Sequence, residues 1–511
     1  MARNRLVIAA IVAVVVVAIV AVLVVVFVNR DGGSTAGGDE SEVRIALAGE
    51  PSSFDVSIVE DGVMQSISRN IFEGLTGRTP SMEVIPELAT EWEQTGPTTW
   101  VFTIRPDVVF HNGEKFDAAA AAYSINRVLD PANESSVKAF VPSIASVEAT
   151  GDMTLQVELV GPDPNLPGVL SYVMMVPPDY VEEDVERFGR EPVGTGPYVL
   201  EKWTPGTSLE LARFDDYWGE APEIDRATAV FLPEVEVRVA SLQADEVNVA
   251  AINPAQADRA PRVTSVGSTD VAEFGFDAQP GTVLSDERLR LAINLAIDRE
   301  ALIDVVYDGY ASPAHGQLVP PEAFGFDPSL DDYPFDLDQA KALVVEADAV
   351  GKEVVIVSPQ GRWVQDVEAV QAIAAMIEET GLTVTVEPLE FSAFLDRVFD
   401  REARADLMFF AASSDTFDSS RTIGTLLLSP ENGGTLSRFS VPEIDALLDK
   451  ALKAETLEEK EATYHELWQL AQDRVAMFPL FGLQNIYGTS ADLNWEARPD
   501  NRINVAEMSF G

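Results

Sequence analysis

Val193-Gly194-Thr195-Gly196-Pro197-Tyr198 and, after a short interval, Phe214-Asp215-Asp216-Tyr217-Trp218-Gly219 form the stretch on which the reading of this chain turns. Glycine tolerates backbone angles closed to other residues, and Pro197 presets the angle that follows. Tyr198-Val199-Leu200 then begins a strand. Leu209 and Leu211, alternating with Glu210 and Ala212, read as its returning partner. In isolation this predicts a tight turn feeding a hairpin.

Around that stretch lies a chain of 511 residues, too long for one ordinary core and consistent with two or three domains. Cysteine is absent, which excludes disulfides, thiolate metal sites and cysteine nucleophiles. Acidic residues number 84 against 35 basic ones, a formal charge of −49 that argues against a nucleic-acid partner. Two explanations of the acidity stand side by side: adaptation to high salt, where a carboxylate surface stays hydrated, and a bias of lineage.

Leu6 to Val28 is an unbroken apolar run of 23 residues, enough to span a bilayer with some tilt. Arg3 and Arg5 precede it, so the positive-inside bias leaves the N-terminus cytoplasmic and the body outside. The expectation is a retained anchor at 6–28 and a flexible Gly- and Ser-rich linker at 29–41. A cleaved signal ending near Ser34-Thr35-Ala36, giving a secreted or periplasmic protein, is the alternative.

Further along, Val43 to Leu47 reads as a strand. Val63, Ile67, Ile71 and Leu75 share a four-residue spacing that predicts a helix running to the glycines at 74 and 77. Trp100, Phe102 and Ile104 alternate as a half-buried strand, as do Met153, Leu155, Val157 and Leu159. From Asp336 on, strands at 354–357 and 384–386 alternate with helices at 340–343 and 364–379, which argues for a mixed α/β domain with crossover helices. His111, His315 and His465 stand far apart. No His-x-x-x-His pair, Gly-x-Ser-x-Gly elbow or phosphate-cradling loop occurs, so neither an enzyme nor a resident cofactor or metal is expected.

The motif blocks keep an order. Glu50-Pro51-Ser52-Ser53-Phe54-Asp55, Ile85-Pro86-Glu87-Leu88-Ala89, Phe110-His111-Asn112-Gly113-Glu114, Tyr123-Ser124-x-x-Arg127 and the opening stretch follow one another. After them come Leu242-Gln243-x-x-Glu246-Val247, Ala296-Ile297-Asp298-Arg299 and Met477-Phe478-Pro479-Leu480-Phe481. Together they resemble the extracellular solute-binding proteins, family 5, which serve peptide, oligopeptide and nickel ABC importers. The resemblance runs from residue 43 to about 490. It implies a two-lobed periplasmic-binding-protein-like (type II) α/β fold with a hinge. One lobe would hold 42–275 plus 480–511, with an inserted subdomain near 56–188, and the other 276–479.

The same resemblance implies an extracytoplasmic component that captures peptides between closing lobes and hands them to an ABC permease and its ATPase. Alternatives are a non-peptide solute, such as a nickel chelate or an oligosaccharide, and a surface receptor without transport. By resemblance the pocket segment is Phe410 to Asp418, with Ala411, Ser413, Phe417 and Asp418 as ligand-binding residues. Asp415 would face a ligand ammonium, where the plainer alternative is an Asp that caps a turn. The family's tryptophan in this segment is replaced by Ala412 and its Asp-Pro step by Asp418-Ser419, which implies a larger or reshaped cavity. Glu60-Asp61-Gly62-Val63 matches the edge that pairs with an extended peptide, or is an exposed acidic turn. Arg421 meets a ligand carboxylate or a surface partner. Phe417 and Trp363 line an apolar pocket or belong to the core.

Overall fold

Two long strands, Arg262–Phe276 and Pro479–Thr489, pair antiparallel in the middle of an eleven-stranded sheet in the computed structural model. The model describes residues 41–59, 61–400, 405–434, 436 and 438–511. The run Leu6–Val28, nearly all of the linker and Glu60 lie outside them. Among the described residues, no helix is long and apolar enough to cross a membrane.

To one side of the central pair lie Leu407–Ser413, Glu353–Pro359 and Thr383–Leu389. To the other lie Val249–Ala251, Glu42–Leu47, Arg226–Phe231, Ser208–Arg213 and Tyr198–Thr204, while Ala311–Ser312 pairs separately with Pro479–Thr489. Glu353–Pro359 pairs parallel with both of its neighbours, and the helices Asp366–Glu378 and Phe391–Phe399 make the crossovers. Val354, Ile356 and Val357 are all fully buried, as a strand covered on both faces requires. Ala89–Gly96, Thr99–Ile104, Thr154–Leu159 and Ile144–Gly151 form a second, antiparallel sheet. Phe102, Leu155 and Val157 turn inward from it onto the helix Ala118–Leu129. Each such burial contributes about 1.5–3 kcal/mol before entropy is counted.

The helix expected through Leu75 is shorter: it spans Gly62–Ser68. Beyond it the backbone has other partners. Tyr198 N donates to Asn70 O (2.8 Å), Gly196 N to Ile71 O (2.9 Å) and Met175 N to Glu73 O (2.8 Å). Ile71 and Leu75 are nonetheless fully buried, so their spacing reported burial and not helix.

The same contacts correct the reading of Gly194 and Gly196. Neither lies at positive φ. A Cβ on Gly194 would sit 2.0 Å from Ile71 O, and one on Gly196 would sit 2.7 Å from Ile71 C. What excludes a side chain is the close approach of two backbones, not a special dihedral. The hairpin that follows forms as expected, Tyr198 facing Arg213 and Thr204 facing Ser208.

Most of the sequence blocks meet one another. The Glu73 carboxyl, fully buried, accepts hydrogen bonds from Thr195 Oγ1, Tyr217 OH and Trp218 Nε1, each at 2.8 Å. His111 Nε2 lies 2.9 Å from Gly196 O, and Gly194 N donates to His111 Nδ1 at 3.3 Å. Asp55 receives a two-pronged bond from Arg127 (2.6 and 2.8 Å). Buried Arg299 donates to Pro479 O (2.9 Å), bracing the helix Arg299–Val306 against the returning central strand.

Candidate functional site

A cavity of about 600 Å³ opens where the central strand pair meets the helix start at Gly62, the loop at Arg362-Trp363-Val364 and the turn after Leu407–Ser413. Its position follows from an irregularity. The register of Arg262–Phe276 against Pro479–Thr489 jumps between Gly267 and Val271, so Ser268, Thr269 and Asp270 bulge into the cavity. Alternation along Leu407–Ser413 gives Ala411 and Ser413 to the same space. Ala412 faces the other way, against the apolar cluster that includes Leu427 and Trp468. Its side chain is therefore not part of the cavity lining.

Two carboxyls flank Ser413. Its hydroxyl donates to Asp415 and stands 3.0 Å from Thr269 Oγ1, and Asp270 is its cross-strand neighbour. Burial, and then the charge on Asp415, push Asp270 up to about 6, while Ser413 and Arg362 act the other way. A different wall is cationic. Arg78 donates to Met82 O (2.8 Å), Gly168 O (2.9 Å), Ser171 Oγ (3.0 Å) and Thr416 O (3.2 Å), and its guanidinium lies 5.0 Å over the Phe417 ring. Burial, and then Arg502, lower Arg78 to about 10, so it stays charged at neutral pH. Phe417 holds φ 53°, uncommon for an aromatic residue, with Phe417 N donating to Ser414 O (2.8 Å) and Phe417 O accepting from Phe324 N (2.9 Å).

Of the residues singled out by sequence, Gly62, Ala411, Ser413, Asp415 and Phe417 line the cavity, as does Trp363. Asp418 does not. It caps the helix Ser419–Leu426 and is buried against Lys460 Nζ (3.4 Å), Asn165 Nδ2 (2.9 Å) and Tyr464 OH (3.2 Å). Lys460 also meets Asp163 at 3.0 Å, so one buried cation joins segments some 300 residues apart. Burial alone would raise the Asp418 carboxyl, yet Lys460 and the Ser420 donors hold it below its usual range.

Arg421 is likewise off the lining. It pairs with Asp415 at 3.2 Å and lies 4.3 Å over the Phe140 ring. Asp61 caps its own helix, accepting from Val63 N (2.9 Å) and Met64 N (3.0 Å), and Val63 packs on the core. Glu60 is outside the described residues. Sequence reasoning missed Asp270, Arg362, Arg78 and Arg502. Arg362 alone carried a local signal, a Pro359-Gln360-Gly361 loop after a strand. Among the described residues, no group of three or more His, Asp or Glu is placed to hold a metal ion.

A sheet threaded by two long strands, with a polar cavity where they bulge, is the two-lobed α/β architecture of the periplasmic-binding-protein-like solute binders. CtaP of Listeria monocytogenes, an ABC transporter substrate-binding protein, superposes with a TM-score of 0.82 at 19% identity, covering 92% of this chain and 99% of that one. DppA of Helicobacter pylori in complex with the peptide STSA gives 0.70 at 21%, covering 92% and 98%. The glutathione-binding protein GsiB of Pectobacterium atrosepticum is 25% identical over 454 residues, 84% of this chain and 86% of that protein. Residues 83–434 match the family described as "Bacterial extracellular solute-binding proteins, family 5 Middle". The chain belongs to that family of ABC-importer binding proteins.

Proposed function

We propose that the chain captures short peptides in this cavity and passes them unchanged to an ABC permease and its ATPase. The observation that carries the reading is the placing of Asp415 and Asp270 beside one another around Ser413. It presents two partly desolvated carboxyls to one face of the cavity, suited to a guest ammonium group. Gly62, which also lines the cavity, has no side chain and open space around it, leaving room for an extended guest. The peptide named with DppA and the tripeptide glutathione named with GsiB support a peptide guest.

The mechanism needs no bond chemistry. Residues 42–275 with 480–511 act as one lobe and 276–479 as the other, hinged where Arg262–Phe276 and Pro479–Thr489 cross between them. Closure is favoured because the guest touches both lobes only when they are shut. Leu6–Val28 tethers the body outside the cell membrane, in place of a lipidated cysteine that the sequence lacks. Isothermal titration with dipeptide-to-hexapeptide mixtures is the test. Heat from peptides that Asp415→Asn weakens at least tenfold is expected. Silence across the mixtures, or chemical conversion of any peptide, overturns the reading.

A further inference from the structure

The wall that carries Arg502 is not used by the reading above. Arg502 ends the segment Asp500-Asn501-Arg502, and all three residues line the cavity. Asn501 holds φ 56°, its side-chain oxygen taken by the Tyr487 hydroxyl. Asp500 stands where a counter-ion belongs, but Arg498 takes both its oxygens, Nε to Oδ1 and Nη2 to Oδ2, each at 3.0 Å. Arg502 Nε is left 3.9 Å from Asp500, and the nearest ring, Tyr172, has its centroid 5.9 Å away. Among the described residues, the Arg502 guanidinium makes no hydrogen bond.

Asp500 neutralises it only in part, because that carboxylate is shared with Arg498 and also accepts from Arg502 N at 3.3 Å. Arg69 is matched by Glu87 at 2.9 Å, and Arg498 is matched by Asp500 and by Glu507 at 2.7 Å. Arg78 spends its donors on a hydroxyl and three carbonyls, none of them charged. This corner of the cavity thus holds more guanidinium groups than carboxylates. A largely buried planar fork that donates no hydrogen bond and only shares a carboxylate with Arg498 fits the two oxygens of a further carboxylate. The chain as a whole is strongly anionic, at −49, so its far field repels an anionic group and only local contact can retain one.

We infer that Arg502, flanked by Arg78, is an anion subsite that binds a carboxylate of the guest. The inference rests on the cavity being the guest site. It adds that the guest is zwitterionic, its cationic group at Asp415 and Asp270 and its carboxylate at Arg502.

Two titrations test it, each on wild type, Arg502→Gln and the surface control Arg226→Gln at fixed ionic strength. Succinate binds wild type and the control alike, and Arg502→Gln at least tenfold more weakly; succinamide binds none of them. Trialanine binds wild type at least tenfold more tightly than its C-terminal amide, and Arg502→Gln loses that preference. Arg502→Lys, which keeps the charge without the fork, falls between. It also decides the matter if the glutamine variant does not fold.

Equal succinate binding by wild type and Arg502→Gln overturns the subsite, as does absence of succinate binding by wild type. So does an acid-over-amide preference that survives the substitution. Succinate held through Arg502 by a protein silent to every peptide leaves the subsite standing and removes the peptide reading. Peptides bound as acid and amide alike do the reverse.

Discussion

Replacing Glu73 tests whether the stretch from Val193 to Gly219 is a structural joint. Its carboxyl is fully buried and raised to about 8, by burial first and then by the charge of Glu87, against the pull of its three donors. A neutral acid satisfies the site. The oxygen facing Thr195 and Trp218 still accepts both bonds, and the bond to Tyr217 turns round: the protonated oxygen donates and the Tyr217 hydroxyl, a donor to the carboxylate, accepts. Glutamine repeats that pattern, with its amide nitrogen in place of the protonated oxygen. Alanine leaves Thr195, Tyr217 and Trp218 without this partner, at about 1–3 kcal/mol each, so about 5 kcal/mol in all.

For a body of about 470 residues the unfolding entropy is about 1 kcal/mol per kelvin, so Glu73→Ala should lower Tm by about 5 °C. Glu73→Gln should melt with wild type at pH 5. Between the unfolded value of 4.5 and about 8, the folded protein holds a proton that the unfolded chain has released, so this group's contribution to wild-type stability falls as pH rises. The glutamine variant lacks that slope and should overtake wild type by a few degrees at pH 8. Calorimetric melts at both pH values read all of this. An alanine variant within about 1 °C of wild type, or a glutamine variant as weak as alanine at pH 5, would refute the reasoning.

Lys460→Met should cost about 3–5 kcal/mol in denaturant unfolding, because it strands Asp163 and Asp418 as buried like charges. Adding Asp163→Asn and Asp418→Asn should recover most of the loss, and failure to do so would show that the contact is not electrostatic. His111 is lowered to about 4, chiefly by burial, so the unfolded chain binds the extra proton first. Its contribution to stability is complete above about 6.5 and is lost as pH falls toward 4. His111→Gln should flatten the acid limb of the Tm–pH curve in that window, and an unchanged limb would exclude His111 as its source.

Much of the fold was legible because its signals are local. Alternation marked Thr99–Ile104 and Thr154–Leu159, and the strand-helix alternation from Asp336 on marked the parallel crossovers. The helix at Gly62–Ser68 was overextended for a reason no local pattern shows. The carbonyls after Ser68 are bonded by Tyr198, Gly196 and Met175, more than 100 residues away. The cavity was half legible. Its Ala411-to-Phe417 segment is contiguous, whereas Asp270 enters through a bulge and Arg78 and Arg502 are brought together from opposite ends of the chain.

That division separates what the motif blocks do from what the cavity does. Gly194, Thr195, Gly196, Tyr217 and Trp218 meet His111, Glu73 and Ile71; Asp55 meets Arg127; Arg299 meets Pro479. Each of these contacts ties a block to another block or to the Ile71–Glu73 segment, and none of these residues lines the cavity. The constraint on each is geometric: a backbone too close for a Cβ, or a buried charge or acceptor whose partner cannot be removed alone. Such joints hold the lobes in shape whatever guest lies between them. Proteins about as similar as GsiB, at 25% identity, can therefore share the joints and differ freely where guests are read. On the proposed function, specificity would rest on cavity residues the blocks leave out, here Asp270, Asp415, Arg78 and Arg502. Exchanging those four for the residues of a relative should move guest preference without moving Tm by more than the loss of their own contacts, whereas exchanging a joint should do the opposite.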